Sequence, residues 1–293
     1  MNILTIGDNS FDIRVRSSTK VKEDENIIPE SFSVSPGGTG INFSVAYSLL
    51  GGRSSYLTPV SLDPFGECLI RYLEEHRVTH IGSRSLKNTA LIINLIGKSG
   101  SRSTLALIKN TAYTDVSFDE FKDRWSKFEH LYISGGILTE ERTQEELMRI
   151  IEFARTNHVR IYFDPQIRIG IGINGFMDAV GKIVTFSDIV LGNIQEMGTL
   201  PPGLLKEVEK GGTILVYKKG KEGAEVHFRG KIYRSKGIRV VSVDTVGAGD
   251  IFNAAFLGYY LEDGGIVESL EFANRIAAVS TTRGGFFVPD EKF

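Results

Sequence analysis

Cysteine, long apolar runs and any surplus of one charge are all scarce in this chain, and each shortage removes a class of protein. The single cysteine, Cys68, excludes an intrachain disulfide and fits a reducing cytoplasm. It reads as a small buried residue of a helix rather than as a nucleophile. No apolar run approaches the about 18 residues that a membrane-spanning helix requires. The N-terminus, MNILTIGD, is a short strand without the basic and apolar regions of a secretory leader. Lys and Arg number 34 against 36 Asp and Glu, a net charge of −2, which offers no basic face to nucleic acid or a lipid surface. His76, His80, His130, His158 and His227 are scattered without the spacing of metal ligands. The expectation is a soluble cytoplasmic protein with neither nucleic acid nor membrane as partner. Two nucleotide-binding signatures are missing too. Phe43 stands where a dinucleotide fingerprint beginning at Gly38-Thr39-Gly40 needs its third glycine, and no G-x-x-x-x-G-K-[ST] run occurs.

What is present is an alternation of strand and helix patterns along 293 residues, enough for one large α/β domain. Asn2 to Gly7 reads as a buried strand. Phe11 to Arg16 and Ser31 to Ser35 alternate apolar with polar residues, as strands of a sheet with two unlike faces do. Leu91 to Ile96 and Ser103 to Ile108, around Gly97-Lys98-Ser99-Gly100, form a second hairpin of this kind, so a small antiparallel flap is expected. Pro36-Gly37-Gly38-Thr39-Gly40 leads into a helix with Ile41, Val45 and Leu49 on one face, ended by Gly51-Gly52. From residue 130 onward, strands deliver Asp164, then Asn193 and Glu196, then Lys218, at their C-terminal ends. A helix from Thr143 to Asn157 carries a capping-box-like Thr143…Glu146 pair. Open, mostly parallel sheets bind ligands along that C-terminal rim.

The run Val243 to Phe256, VDTVGAGDIFNAAF, concentrates the chemistry. Strand-like residues Arg239 to Val243 lead to Asp244, Gly247-Ala248-Gly249 turn the chain, and Asp250 opens a helix pattern. Bare amides of the helix start would suit a phosphate carrying developing charge. A carboxylate beside such a site repels the anion. Asp250 is therefore either a base that takes the proton of an attacking hydroxyl or an ordinary N-cap residue after a glycine turn.

Taken together, Gly37-Gly38-Thr39-Gly40-Ile41-Asn42, Asn193-Ile194-Gln195-Glu196, Gly220-Lys221-Glu222-Gly223 and Asp244-Thr245-Val246-Gly247-Ala248-Gly249-Asp250 resemble the ribokinase-like (PfkB) carbohydrate kinase family. The resemblance covers essentially the whole chain. It implies a single domain over 1–293, a three-layer αβα sandwich with a mostly parallel central sheet. A small β-sheet lid would be inserted at about 11–35 and 90–109. It also implies transfer of the γ-phosphoryl group of ATP to a sugar hydroxyl. Asp250 matches the catalytic base, and the amides of Gly247, Ala248 and Gly249 match the anion hole. Asp12, Gly38 and Asn42 match contacts to the sugar.

Asn193 and Glu196 match the pair that organises Mg²⁺ and the phosphates, with Glu196 holding the ion indirectly. Lys218, Gly220, Gly223 and Gly249 border the nucleotide, and Asn274 matches a position near the adenine. Asp244, Val246, Ser280 and Gly285 match a K⁺-type monovalent-cation site found in part of the family. Arg168 matches a guanidinium that meets a substrate carboxylate or phosphate, or else forms a structural salt bridge.

There are departures from the family's pattern. Gln166 replaces the usual Asn of relatives that accept fructose or 2-keto-3-deoxygluconate, Ser10 replaces the Asn of ribokinases, and Lys218 replaces a smaller residue. The leading expectation is a sugar kinase of the fructose or 2-keto-3-deoxygluconate type. Alternatives are a ribose or nucleoside kinase using Phe11 and Phe32 of the lid for stacking, and a non-catalytic sugar or nucleotide sensor. An apolar outer face on the lid would suit a homodimer.

Overall fold

The computed structural model describes residues 1–18, 24, 26–97, 101–167 and 172–293. The apolar N-terminal strand β1 (Asn2–Ile6) leads out to a hairpin, β2 (Ser10–Arg16) and β3 (Ser31–Gly37). Helix α1 (Thr39–Leu49) brings the chain back to β4 (Arg53–Tyr56). The short strand β5 (Val60–Ser61), helix α2 (Pro64–Glu75) and the short strands β6 (Thr79–His80) and β7 (Arg84–Ser85) follow. A second excursion, β8 (Ala90–Ile96) and β9 (Arg102–Leu107), precedes the short helix α3 (Phe118–Lys122).

Regular alternation then begins with β10 (His130–Ser134), α4 (Glu141–Thr156), β11 (Arg160–Asp164), α5 (Phe176–Phe186) and β12 (Ile189–Asn193). Helices α6 (Ile194–Thr199) and α7 (Pro202–Lys210) lead to β13 (Ile214–Lys218). The hairpin β14 (Gly223–Phe228) and β15 (Lys231–Lys236) turns on Arg229 and Gly230, both at positive φ. Helices α8 (Ala248–Asp263) and α9 (Ile266–Ser280) close the chain.

The main sheet has nine strands in the order β15-β14-β13-β12-β11-β10-β1-β4-β6, with only β14 running against the rest, so that its pairings with β13 and β15 are antiparallel. Its central strands are apolar at successive positions because both faces are covered. Leu131, Ile133, Ile161, Phe163 and Val190 point into one core, shared with Leu147 and Ile151 of α4 and Ile183 of α5. Tyr132, Tyr162, Ile189 and Leu191 point into the other, shared with Phe43 and Tyr47 of α1, Phe256 of α8 and Leu270 of α9. The expected three-layer sandwich is therefore the observed one. Helix α1 is buried on more than the expected face: Phe43, Ala46 and Tyr47 are as fully enclosed as Ile41 and Val45. It lies against both β4 and α8, so no side of it is left to solvent along most of its length.

The lid is a separate four-stranded sheet, β3-β2-β8-β9. Each hairpin is antiparallel as expected, but β2 and β8 pair in parallel, so the flap is mixed rather than antiparallel throughout. Two other expectations fail. Residues 239–243 form no strand, because the sheet ends at β15 and offers them no partner. Val241 and Val243 stay 86% and 66% exposed, and the amides of Val243 and Asp244 bond the Thr281 carbonyl instead. Thr143 caps nothing: α4 begins two residues earlier, the Thr143 hydroxyl donates to the Thr114 carbonyl, and Glu146 accepts from the Phe118 amide. Among the described residues no helix is long and apolar enough to cross a membrane.

Asp63 joins the root of the lid to the body. As N-cap of α2 it accepts from the Gly66 amide, and it also takes the Thr89 amide and hydroxyl, each at 2.7 Å. Burial raises its pKa, but the hydrogen bonds from Thr89 and Gly66 outweigh this and hold the carboxyl below its ordinary range. Such a group stabilises the fold above its unfolded pKa, and that stability is lost as pH falls through the depressed folded value. Asp63→Ala is expected to cost about 2 kcal/mol near neutral pH in urea unfolding. The gap from wild type should narrow in acid, and a gap independent of pH would contradict this assignment.

Candidate active site

The C-terminal rim of the sheet carries the polar residues, and one turn organises them. After Asp244 the chain bends through Gly247, which sits at φ 70° as N-cap of α8. A β-carbon there would lie 2.4 Å from the Phe286 ring, so both conformation and space demand glycine. Among the described residues the amides of Gly247 and Gly249 have no protein acceptor, whereas the Ala248 amide bonds the Thr245 carbonyl at 3.3 Å. Two of the three expected anion-hole donors are thus uncommitted. Asp250 lies in the first turn of α8 and is not the N-cap, which removes the bland explanation for a carboxylate at this position.

Asp250 is buried, and its Oδ2 accepts from the Asn42 side-chain amide at 2.8 Å. Asn42 is carried to this point by α1, whose N-cap Gly38 has φ 96° and a backbone packed against Asp8 and Asn9 too closely for any side chain. Burial first, and the Asp164 carboxylate second, push the Asp250 carboxyl well above the ordinary range. The Asn42 hydrogen bond and the Lys218 charge act against them, and Asp8 adds a smaller push upward.

Lys218, at the end of β13, binds Asp164 at 3.4 Å and Asn253 Oδ1 at 3.1 Å. Asn253 in turn donates to Asp164 at 2.5 Å and to the Tyr132 hydroxyl at 3.2 Å. A β-carbon on Gly249 would lie 3.7 Å from Lys218 Nζ, so the ammonium stands beside the glycine turn.

Two cavities meet at the segment from Asp244 to Gly249. The larger, about 940 Å³, lies beneath the lid and is lined by Asp12, Gly38, Asn42, Asp244, Val246 and Gly247 among others. The second, about 540 Å³, is lined by Lys218, Gly220, Gly223, Ala248, Gly249 and Asn274, with an apolar wall of Ile238, Val240, Phe252 and Ala278. Thr245 borders both.

The structure therefore brings Asp12, Gly38 and Asn42 together on the lid side, and Lys218, Gly220, Gly223, Gly249 and Asn274 on the other. Arg168 lies outside the described residues. Asn193 and Glu196 line neither cavity. They form a reciprocal capping box at the start of α6, Asn193 Oδ1 accepting the Glu196 amide and Glu196 Oε2 the Asn193 amide. Among the described residues no three acidic, His or Cys side chains cluster as direct metal ligands. The buried Glu196 carboxylate, on a helix start whose Asn193 pairs in register with Lys218, fits a hydrated Mg²⁺ held through water and phosphate oxygens rather than a protein cage.

The expected monovalent-cation residues fit less well. The Asp244 carboxylate already accepts from the Val246 and Gly285 amides and from the Arg14 guanidinium at 3.1 Å, and the Ser280 hydroxyl donates to the Ala277 carbonyl. The positive charge that a cation would bring is supplied by Arg14. Of the two aromatics offered for base stacking, Phe11 is buried against Phe65 in the core beside α1 and α2, whereas Phe32 borders the large cavity. Gln166 turns its amide to Asp164 at 3.0 Å and does not border the large cavity.

Sequence reasoning missed Asn253 and Tyr132, which read as core residues, and Arg14. The strand alternation could have placed Arg14, since it shares a face with Asp12.

The pfkB family carbohydrate kinase pattern matches residues 2–291. The chain is 26% identical over 300 residues to the 5-dehydro-2-deoxygluconokinase of Clostridium beijerinckii, covering 95% of this chain and 86% of that one. It is 28% identical over 293 residues to the ATP-dependent ribose-1-phosphate kinase of Halopiger xanaduensis, covering 97% and 93%. Its fold superposes with a TM-score of 0.82 on the ATP complex of an uncharacterised sugar kinase from Pyrococcus horikoshii, at 26% identity and 97% and 93% coverage.

The balance at Asp250 can be read without any substrate. Removing the Asn42 hydrogen bond (Asn42→Ala) or the nearby charge (Lys218→Met) should each move the Asp250 titration to higher pH. Carbon NMR of labelled aspartate, compared with Asp250→Asn for assignment, would follow the shift. A downward shift in either variant would mean that the group removed does not hold the carboxyl down.

Proposed function

Because the chain belongs to the pfkB family of carbohydrate kinases, we propose that it transfers the γ-phosphoryl group of ATP to a sugar hydroxyl. Fructose and 2-keto-3-deoxygluconate are the first candidate acceptors. The observation that carries this reading is the meeting of two cavities at one glycine turn, with the buried Asp250 carboxylate in the helix that starts there.

ATP occupies the smaller cavity. Its apolar wall suits an adenine, and its far end, at Gly249 and Lys218, suits phosphates. The ATP-bound relative from Pyrococcus horikoshii supports the same donor. The sugar lies under the lid, where Asp12 accepts from its hydroxyls and Asn42 spans the sugar and Asp250. As the sugar oxygen attacks, a new O–P bond forms, the bond from the γ-phosphorus to the ADP oxygen breaks, and the hydroxyl proton passes to Asp250.

A carboxylate made more basic by burial and by Asp164 is a better proton acceptor than a solvated one. Charge on the transferring group meets the amides of Gly247 and Gly249 and the Lys218 ammonium. Bound Mg²⁺, held indirectly near Glu196, would supply further neutralisation of phosphate charge. The lid excludes water, the competing acceptor.

A homodimer is part of this reading. The outer lid face exposes Val34, Leu105 and Leu107, and a second lid would cover them.

Asp250→Asn should lower turnover by about 10²- to 10⁴-fold, with the KM for ATP nearly unchanged. In the wild type, kcat/KM should fall as pH drops through the raised Asp250 pKa, above the usual carboxylate range. Near-normal turnover in Asp250→Asn would remove the assigned base. For the lid contact, Leu105→Lys should convert a dimer to a monomer in sedimentation velocity, and a wild type that sediments as a monomer would refute the contact.

A further inference from the structure

The inner face of the lid is not a generic sugar surface. Period-two alternation sorts its residues, with most of the apolar members outward. The strand register aligns Ser35, Asp12, Ile92 and Ala106 in one row of the inner face. The next row is Ser33, Arg14, Asn94 and Thr104, and the one beyond it is Ser31, Arg16, Ile96 and Arg102. Three arginines thus stand over the acceptor cavity, two rows deep, on the side of Asp12 away from the lid's root.

Their charges are not equally committed. Arg14 is half buried and paired with Asp244. Among the described residues Arg16 and Arg102 have no carboxylate partner, although both border the cavity. A neutral sugar gives an unpaired guanidinium nothing to neutralise it. Hydroxyls are served as well by Ser, Thr and Asn, which the same rows already hold. A planar guanidinium pair suits a phosphate or carboxylate, to which it donates parallel charge-assisted hydrogen bonds.

We propose that the acceptor is an anionic monosaccharide, bearing a phosphate ester or a carboxylate, whose charged group is held by Arg16 and Arg102 beneath the lid. This rests on the sugar-kinase reading and narrows it. The reacting hydroxyl is directed to Asp250 and Asn42, and the anion to the opposite end of the cavity. Asp12 and Asp8, which border the same cavity, repel an anion bound in the reverse sense. The arginine rows therefore set both the class of acceptor and its direction.

The test pairs turnover with binding. ADP release is measured with fructose, fructose 1-phosphate, fructose 6-phosphate, ribose, ribose 1-phosphate, ribose 5-phosphate and 2-keto-3-deoxygluconate. Dissociation constants for the same sugars are measured by calorimetry. The best anionic acceptor should exceed the neutral sugars by about 100-fold in kcat/KM. Arg16→Ala and Arg102→Ala should each raise its KM about tenfold or more while leaving the KM for ATP unchanged. Phosphate esters and the keto acid separate the two sources of the anion.

A neutral sugar that is the best acceptor, or an anionic sugar whose affinity is the same in the double variant, overturns the proposal and leaves the kinase reading intact. Absence of ADP with every acceptor overturns the kinase reading instead, and the calorimetric comparison still decides whether the arginines bind an anion. Both arginines are solvent-exposed, so folding of the variants is checked simply by their melting temperatures.

Discussion

The Asp250 carboxylate is buried beside that of Asp164, which adds to the cost of ionising it, and one ammonium, Lys218, acts against that cost. Burying like charges is expensive, and the surrounding architecture is arranged to reduce that expense. Asn253 and Tyr132 cluster on Asp164, Asn42 is delivered to Asp250 by the glycine-tight start of α1, and Lys218 arrives from the end of β13. The groups gathered there come from α1, β10, β11, β13 and α8, so the order of the central strands is also the order in which the charges are assembled. A carboxyl group of raised pKa is what remains, and it sits in the helix whose first residues border both cavities.

The lid solves a different problem with the same chain. A thin sheet must face a polar cleft on one side without a core of its own. Its alternation gives a hydrophilic ceiling and a greasy roof, which is why short strands with charged and apolar residues in turn recur at both insertions. The joint between the two hairpins pairs their first strands, β2 and β8, side by side in the same direction, which is why it is parallel while each hairpin is antiparallel.

Much of this was legible in the residues. The parallel strands and their order of ligands could be read because fully covered strands are short apolar runs that end in polar groups. Asp250 stood out because a carboxylate after a glycine turn needs a reason. Other features were illegible for physical causes. Asn253 lies within an apolar helical run, and periodicity alone cannot tell a polar core residue from a spacer. The valines before Asp244 have strand character, yet nothing local records that the sheet has run out of neighbours by β15. Thr143 and Glu146 have the right separation for a cap, but α4 already starts at Glu141, and both side chains bond partners from other elements, the Thr114 carbonyl and the Phe118 amide. The alternation at 10–16 puts Arg14 and Arg16 on the face of Asp12, but only the assembled sheet brings Arg102 into the row of Arg16.

The Arg14–Asp244 pair links lid strand β2 to the very segment that partitions the two cavities. Raising the lid means parting that pair, and both of its members are only partly shielded from solvent. Dissolved ions weaken such an attraction. Ionic strength therefore bears on how firmly β2 is tied to the segment between the two cavities, so that the background electrolyte acts on the tether rather than on the sheet itself.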